Sequence, residues 1–307
     1  MDLKSKIILI YGPTASGKSD FAIKLAKKIN GEIINADSLQ VYKDLKFLTA
    51  RPLKKNYQKI RHHLYGFQSG KKNFSTGEWL KLAVKKINEI KNKKKIPILV
   101  GGTGLYFKAL VEGLVKIPNI PLSFRNKVRR LQKDLGQDKF YEKLLKIDPL
   151  VKNSIKSSDV QRSIRAYEVK IKTKKSLVDW ISNTKSDFIN YDLVKIFIDI
   201  PRKELLNRIS KRTELMFVNN CEKEVEKFNS LEVDLNLSAN KLIGVMEINR
   251  YLNGTINLEQ CKELINIKTR QYAKRQNTWA RGHMKNWNKL YSKNFSNLLK
   301  KSLKVVT

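Results

Sequence analysis

The first third of the chain alternates short apolar runs with stretches of helical periodicity. Residues 6–11, Lys-Ile-Ile-Leu-Ile-Tyr, are apolar, β-branched and of strand length, which predicts a buried strand. Glycine and proline interrupt the run at residues 12–19, and an amphipathic helix is expected from there to about residue 29. Residues 31–35 read as a second strand, ending at Ala36-Asp37-Ser38. Leu80, Val84, Ile87 and Ile90 recur at helical spacing within residues 76–91, and residues 96–100 form another buried strand, broken by Gly101-Gly102. Strands alternating with helices imply an α/β fold with a parallel sheet and helices on both of its faces.

Past Pro118 and Pro121 the strand signal stops. Residues 122–185 are lysine-rich and helical in pattern; one further strand is expected at residues 194–200, ended by Pro201, with helices after it. The expected plan is an α/β core formed by residues 1–120 and about 190–307. A mostly helical insertion, about 121–189, interrupts it.

Candidate chemistry sharpens this plan at the first strand-to-helix turn. Gly12, Pro13, Thr14, Ala15, Ser16, Gly17, Lys18 and Ser19 fit GxxxxGK[ST] between a predicted strand and a predicted helix, the context in which that spacing makes a phosphate-binding loop. Glycine lets the backbone curl so that several N–H groups face one anion, and the helix adds the positive end of its dipole. Lys18 supplies a point charge and the Ser19 hydroxyl a ligand for Mg²⁺. A nucleotide hydrolase would pair this loop with a strand ending in Asp, whereas residues 96–100 run into Gly-Gly-Thr. The available acid is Asp37, at the end of the second strand, where it is either a cap or a group that shares the loop's cleft.

Six blocks then coincide in order: GPTASGKS (12–19), NADSLQVYKDL (35–45), TARP (49–52), LVGGTGLYFKAL (99–110), QRSIRAYEV (161–169) and TRQYAKRQNTWAR (269–281). Over roughly residues 6–285 the chain resembles the bacterial tRNA dimethylallyltransferase family, also called tRNA isopentenyltransferase. The resemblance implies transfer of a dimethylallyl group from dimethylallyl diphosphate to N6 of adenosine 37, beside the anticodon. It implies that the loop grips the prenyl diphosphate, with Lys18, Ser19 and Mg²⁺ on the leaving group. Asp37 matches the family's general base and Thr14 a substrate-contacting catalytic position. On the tRNA side the matching positions are Asp37, Ser38, Leu39, Gln40, Thr103, Arg125, Gln161, Arg162, Ser163, Ile164, Arg165, Lys274, Arg275, Gln276, Trp279 and Arg281. The helical insertion would then bind the anticodon stem-loop.

Periodicity adds its own support for RNA. Arg162 and Arg165 share one face of a predicted helix, and Arg270, Lys274, Asn277 and Arg281 form a stripe along another, with Tyr272 and Trp279 available either for stacking on a base or for the core. A solvated helix face produces the same stripes. One segment departs from the family, which carries RxxGYR before its last helices. Here Lys241, Val245 and Met246 stand at the arginine and aromatic positions; lysine brings charge without a bidentate fork, and Met246 brings neither.

Composition changes the picture less. The formal charge of +35 and pI of about 10.1 favour a polyanionic partner, but lysine outnumbers arginine 49 to 14, and a coding bias toward A and T yields the same excess. Cys221 and Cys261 lack CxxC spacing, which argues against a zinc module and a disulfide framework and fits a reducing cytoplasm. The N-terminal apolar stretch is too short for a signal peptide, and no run approaches the ~20 residues that span a bilayer, so a soluble, cytoplasmic protein is expected, and a monomer because nothing in the sequence suggests a dimer seam. Two other classes remain open on the residues: a P-loop kinase or NTPase, and an RNA-binding protein without catalysis.

Overall fold

The structure is a computed structural model that describes residues 6–291 and 295–306. In chain order its regular elements are β1 (Lys6–Tyr11), α1 (Lys18–Ile29), β2 (Gly31–Asn35), β3 (His62–His63), α2 (Thr76–Asn92), β4 (Ile96–Gly101) and α3 (Gly104–Glu112). There follow α4 (Leu122–Leu135), α5 (Gln137–Ile147), α6 (Val160–Thr173), α7 (Leu177–Ser182), β5 (Asp192–Ile198), α8 (Arg202–Val218) and α9 (Cys221–Asn229). The last are α10 (Val245–Leu252), α11 (Leu258–His283), β6 (Asn288–Leu290) and α12 (Phe295–Val306). The chain divides into two compact units, residues 1–109 with 190–307, and residues 110–189.

In the first unit the strands form one parallel sheet in the order β3-β2-β4-β1-β5-β6. Every residue of β1 is buried, as its unbroken apolar run requires of a central strand covered on both faces. Ile8 and Ile10 face one way, packing with Phe21, Ala22 and Leu25 of α1 and Leu298 of α12. Tyr11 faces the other, its ring meeting Phe107 edge-on at 5.7 Å and Trp287 at 6.4 Å. Burial of each such side chain contributes roughly 1.5–3 kcal/mol.

Helix ends follow local rules. Ser75 caps α2 in a reciprocal box with Glu78, and α1 stops at Asn30, which adopts a left-handed conformation at φ 54°. The strand expected at 194–200 runs Asp192–Ile198, because Pro201 precedes α8 and residues 199–200 leave the sheet to enter it. Strands β3 and β6 leave no signal in the sequence: two and three residues are too few to show a period.

The second unit is helical. Val128 of α4, Phe140 of α5 and Ile164 of α6 make one apolar cluster, and Tyr141, Leu144, Val151, Ile155 and Ala166 a second. The carboxylate of Glu168, 1% exposed, is met within this unit by Arg125 at 3.4 Å and Arg165 at 3.2 Å.

Candidate active site

The chemistry collects where β1, β2 and β4 end, the edge at which parallel sheets place ligands. The turn after β1 is tight: Ala15 holds a left-handed φ of +62°, Gly17 takes +81° as glycine readily does, and a Cβ on Gly12 would stand 2.7 Å from Ser16 Oγ. A cavity of about 390 Å³ opens beside it. Thr14, Ala15, Gly17, Lys18 and Ser19 line one side, Asp37, Leu39 and Gln40 another, and the wall continues through residues 46–53. Arg212, Leu215 and Met216 of α8, Leu242 and Ile243 before α10, and Ile265, Thr269 and Tyr272 of α11 complete it.

Lys18 is buried and its Nζ donates to the Pro13 carbonyl at 3.2 Å. Burial pushes the ammonium down to about 8, with Asp37 opposing and Arg212 reinforcing that shift. Arg212 donates to Thr14 Oγ1 at 2.5 Å, and burial lowers it to about 10 against the pull of Asp37. One turn earlier Arg208 donates to the Ser16 carbonyl at 3.1 Å while Glu204 accepts from its other arm.

Asp37 is 8% exposed and lines the same cavity as Lys18. Its Oδ1 accepts from Leu39 N–H at 3.0 Å, an Asx turn rather than a helix cap. Asn35 brackets its backbone, accepting from Asp37 N–H and donating to Asp37 C=O, both at 2.9 Å, and Trp79 donates in turn to the Asn35 carbonyl. The Tyr11, Tyr65, Tyr106 and Tyr272 hydroxyls are all pushed up, by burial first, with the charge of Asp37 adding to it. These hydroxyls therefore stay neutral.

The residues expected on the RNA side separate into classes. Ser38 donates its N–H to Thr103 Oγ1 at 2.9 Å, and Gln40 is tethered to the carbonyls of Thr49 and Ala50. Gln161, Arg162, Lys274, Arg275 and Arg281 are exposed. Arg125 and Arg165 are half-exposed on the buried Glu168. Ser163 and Ile164, expected to contact RNA, are instead buried; Ser163 Oγ donates to Asp159 C=O and Ile164 sits in the helical core, so neither offers a side chain to a polyanion. Trp279, open to either stacking or the core, is half-buried: the Gly104 backbone lies against its benzo ring, and His283 stacks on it at 4.4 Å and 6°. The basic stripe on α11 is uneven too, since Arg270 pairs with Glu263 and Asn277 is half-buried. Gln276 is buried, with both ends of its amide used.

A sequence model of the IPP transferase family matches residues 40–283. The chain belongs to the IPP transferase family. It is 59% identical over 290 residues to a tRNA dimethylallyltransferase from Pelagibacter ubique, covering 94% of this chain and 93% of that one. It is 39% identical over 307 residues to the tRNA dimethylallyltransferase of Rickettsia massiliae, covering 99% and 85%. Among solved structures, a tRNA delta(2)-isopentenylpyrophosphate transferase from Staphylococcus epidermidis superposes with a TM-score of 0.69 at 32% identity, covering 97% of both chains. A eukaryotic dimethylallyltransferase, solved acting on tRNA, gives 0.78 at 28% identity, covering 90% of this chain and 69% of that one.

Seen in an IPP transferase, the departure from RxxGYR is local. Lys241 and Met246 are exposed, Val245 is buried, and the segment meets the cavity through Leu242 and Ile243 instead. Gly244 holds φ +105°, and a Cβ there would meet Leu48 at 2.5 Å, so the glycine of the pattern keeps its purpose. Sequence reading missed Arg208, Arg212 and the framing of Asp37 by Asn35. The only trace of the two arginines was their four-residue spacing, which any solvated helix face also shows.

Proposed function

We propose that this chain transfers a dimethylallyl group from dimethylallyl diphosphate to N6 of adenosine 37 in tRNA, releasing diphosphate. The observation that carries this reading is the shared cavity: a glycine-rich loop with two cations, buried Lys18 and half-buried Arg212, opens on the same space as Asp37. Its apolar members Leu48, Leu215, Met216, Ile243 and Ile265 suit a five-carbon chain.

In the proposed reaction N6 bonds to C1 of the allyl group while the C1–O bond breaks and its electron pair leaves with the diphosphate. Lys18, Arg212 and the loop amides stabilise that charge, with Thr14 held by Arg212 beside them. Asp37 accepts the proton from N6. The Ser19 hydroxyl, on the cavity wall, would hold Mg²⁺, and the ion would help neutralise the leaving group. A base must leave its stack to enter such a cavity, and an unpaired anticodon loop keeps that cost low. Exposed Gln161, Arg162, Lys274, Arg275 and Arg281 are assigned to the tRNA backbone, and the enzyme is proposed to act as a cytoplasmic monomer. Among the described residues no helix is long and apolar enough to cross a membrane.

Mass spectrometry of nucleosides from tRNA incubated with the protein, dimethylallyl diphosphate and Mg²⁺ tests the reading. Prenylated adenosine is expected with wild type, and Asp37→Asn should lower turnover ~10²-fold or more while tRNA retention on filters stays within about twofold. Folded wild type that yields no product, or that turns over ATP instead, refutes it.

A further inference from the structure

Gln276 belongs to the C-terminal block read as an RNA contact, yet its side chain is 5% exposed and points inward. Its Oε1 accepts from Thr14 N–H at 2.7 Å, and its Nε2 donates to the Gly102 carbonyl at 2.9 Å. Its own backbone carbonyl accepts from the Tyr11 hydroxyl at 2.9 Å. One residue of α11 thus ties together the end of β1, the phosphate loop and the turn after β4.

The bond to Thr14 has a geometric consequence. Thr14 N–H and Pro13 C=O are two ends of one planar trans peptide, so fixing the direction of the N–H fixes the direction of the carbonyl. That carbonyl accepts from Lys18 Nζ at 3.2 Å and from Ser16 N–H at 3.1 Å. The amide of Gln276 therefore sets the peptide against which the buried lysine rests. Its other end holds the Gly102 carbonyl, one residue before Thr103, whose Oγ1 accepts from Ser38 N–H beside Asp37. Gly102 leaves no room for a side chain here: a Cβ would stand 2.2 Å from Nε2 of Gln276.

We infer that Gln276 is a positioning residue for the phosphate loop, acting on donor binding through the Pro13–Thr14 peptide rather than contacting tRNA. The inference rests on the reading that this loop holds the donor's diphosphate.

Gln276→Met keeps the length and removes both hydrogen bonds. Gly102→Ala leaves Gln276 chemically intact and displaces its amide. For each full-length variant, KM for dimethylallyl diphosphate is measured, with calorimetric titration of Mg²⁺ and inorganic diphosphate, tRNA retention on filters, and melting temperature. Both variants should raise donor KM and the diphosphate Kd about tenfold, with tRNA affinity within about twofold of wild type. Should Gln276→Met fail to fold, Gly102→Ala carries the test. Lost tRNA affinity at unchanged donor KM, equal loss of both affinities, or wild-type values in both variants overturns the inference. Wild type that binds no diphosphate would instead sink the reading beneath it, whereas wild type and variants binding diphosphate equally would sink the inference alone.

Discussion

Lys18 is buried and Arg212 half-buried, and the charge of Asp37 opposes the fall that burial imposes on both cations. Donor capture needs the protonated ammonium, so it weakens as pH rises through the depressed value of about 8 for Lys18. In the free enzyme kcat/KM for the prenyl donor should therefore fall tenfold per pH unit above that point. Bound diphosphate restores the proton, so kcat should hold to higher pH. A pH–rate profile with kcat/KM flat to about pH 10 would show that Lys18 does not carry the charge the donor meets. None of this was visible along the chain. The GxxxxGK[ST] spacing names Lys18, but its titration depends on its burial and then on Asp37 and Arg212, which lie 19 and 194 positions away.

Elements position the cavity wall as much as residues do. Glu224 on α9 accepts from three successive backbone N–H groups, Lys46 at 2.5 Å, Phe47 at 2.9 Å and Leu48 at 3.1 Å. Residues 46–48 have no ladder of their own, and this carboxylate takes the place of one. Glu224→Ala leaves those amides unpaired, and should cost about 1–3 kcal/mol in urea unfolding while raising donor KM, because Lys46, Phe47 and Leu48 line the cavity. A loss under about 0.5 kcal/mol with unchanged KM would show that the wall holds itself. Helix α2 was readable from its apolar periodicity, and the strands β1, β2 and β4 from short apolar runs of strand length. The role of α9 was not, since its carboxylate acts on a loop 176 to 178 positions away in sequence.

Across the whole molecule a formal charge of +35 makes association with RNA sensitive to salt. Replacing Arg162 or Lys274, both exposed, should lower the slope of log K against log salt by about 0.7–0.9 for each phosphate that the side chain neutralises. An unchanged slope in filter binding returns that residue to the solvated surface. The central strands, the GxxxxGK[ST] turn, the acid at the end of β2 and the family itself were legible in the amino-acid sequence alone. The elements and the turn are local patterns, written within a few turns or one strand–loop–helix passage, and the family is six such patterns in order. Only the folded chain decided that Arg212 reaches Thr14, that Gln276 turns inward while Lys274 faces water, and that Ser163 and Ile164 are buried. Those outcomes depend on which distant surfaces meet when the sheet forms and the helices pack, and no spacing along the chain encodes such a meeting.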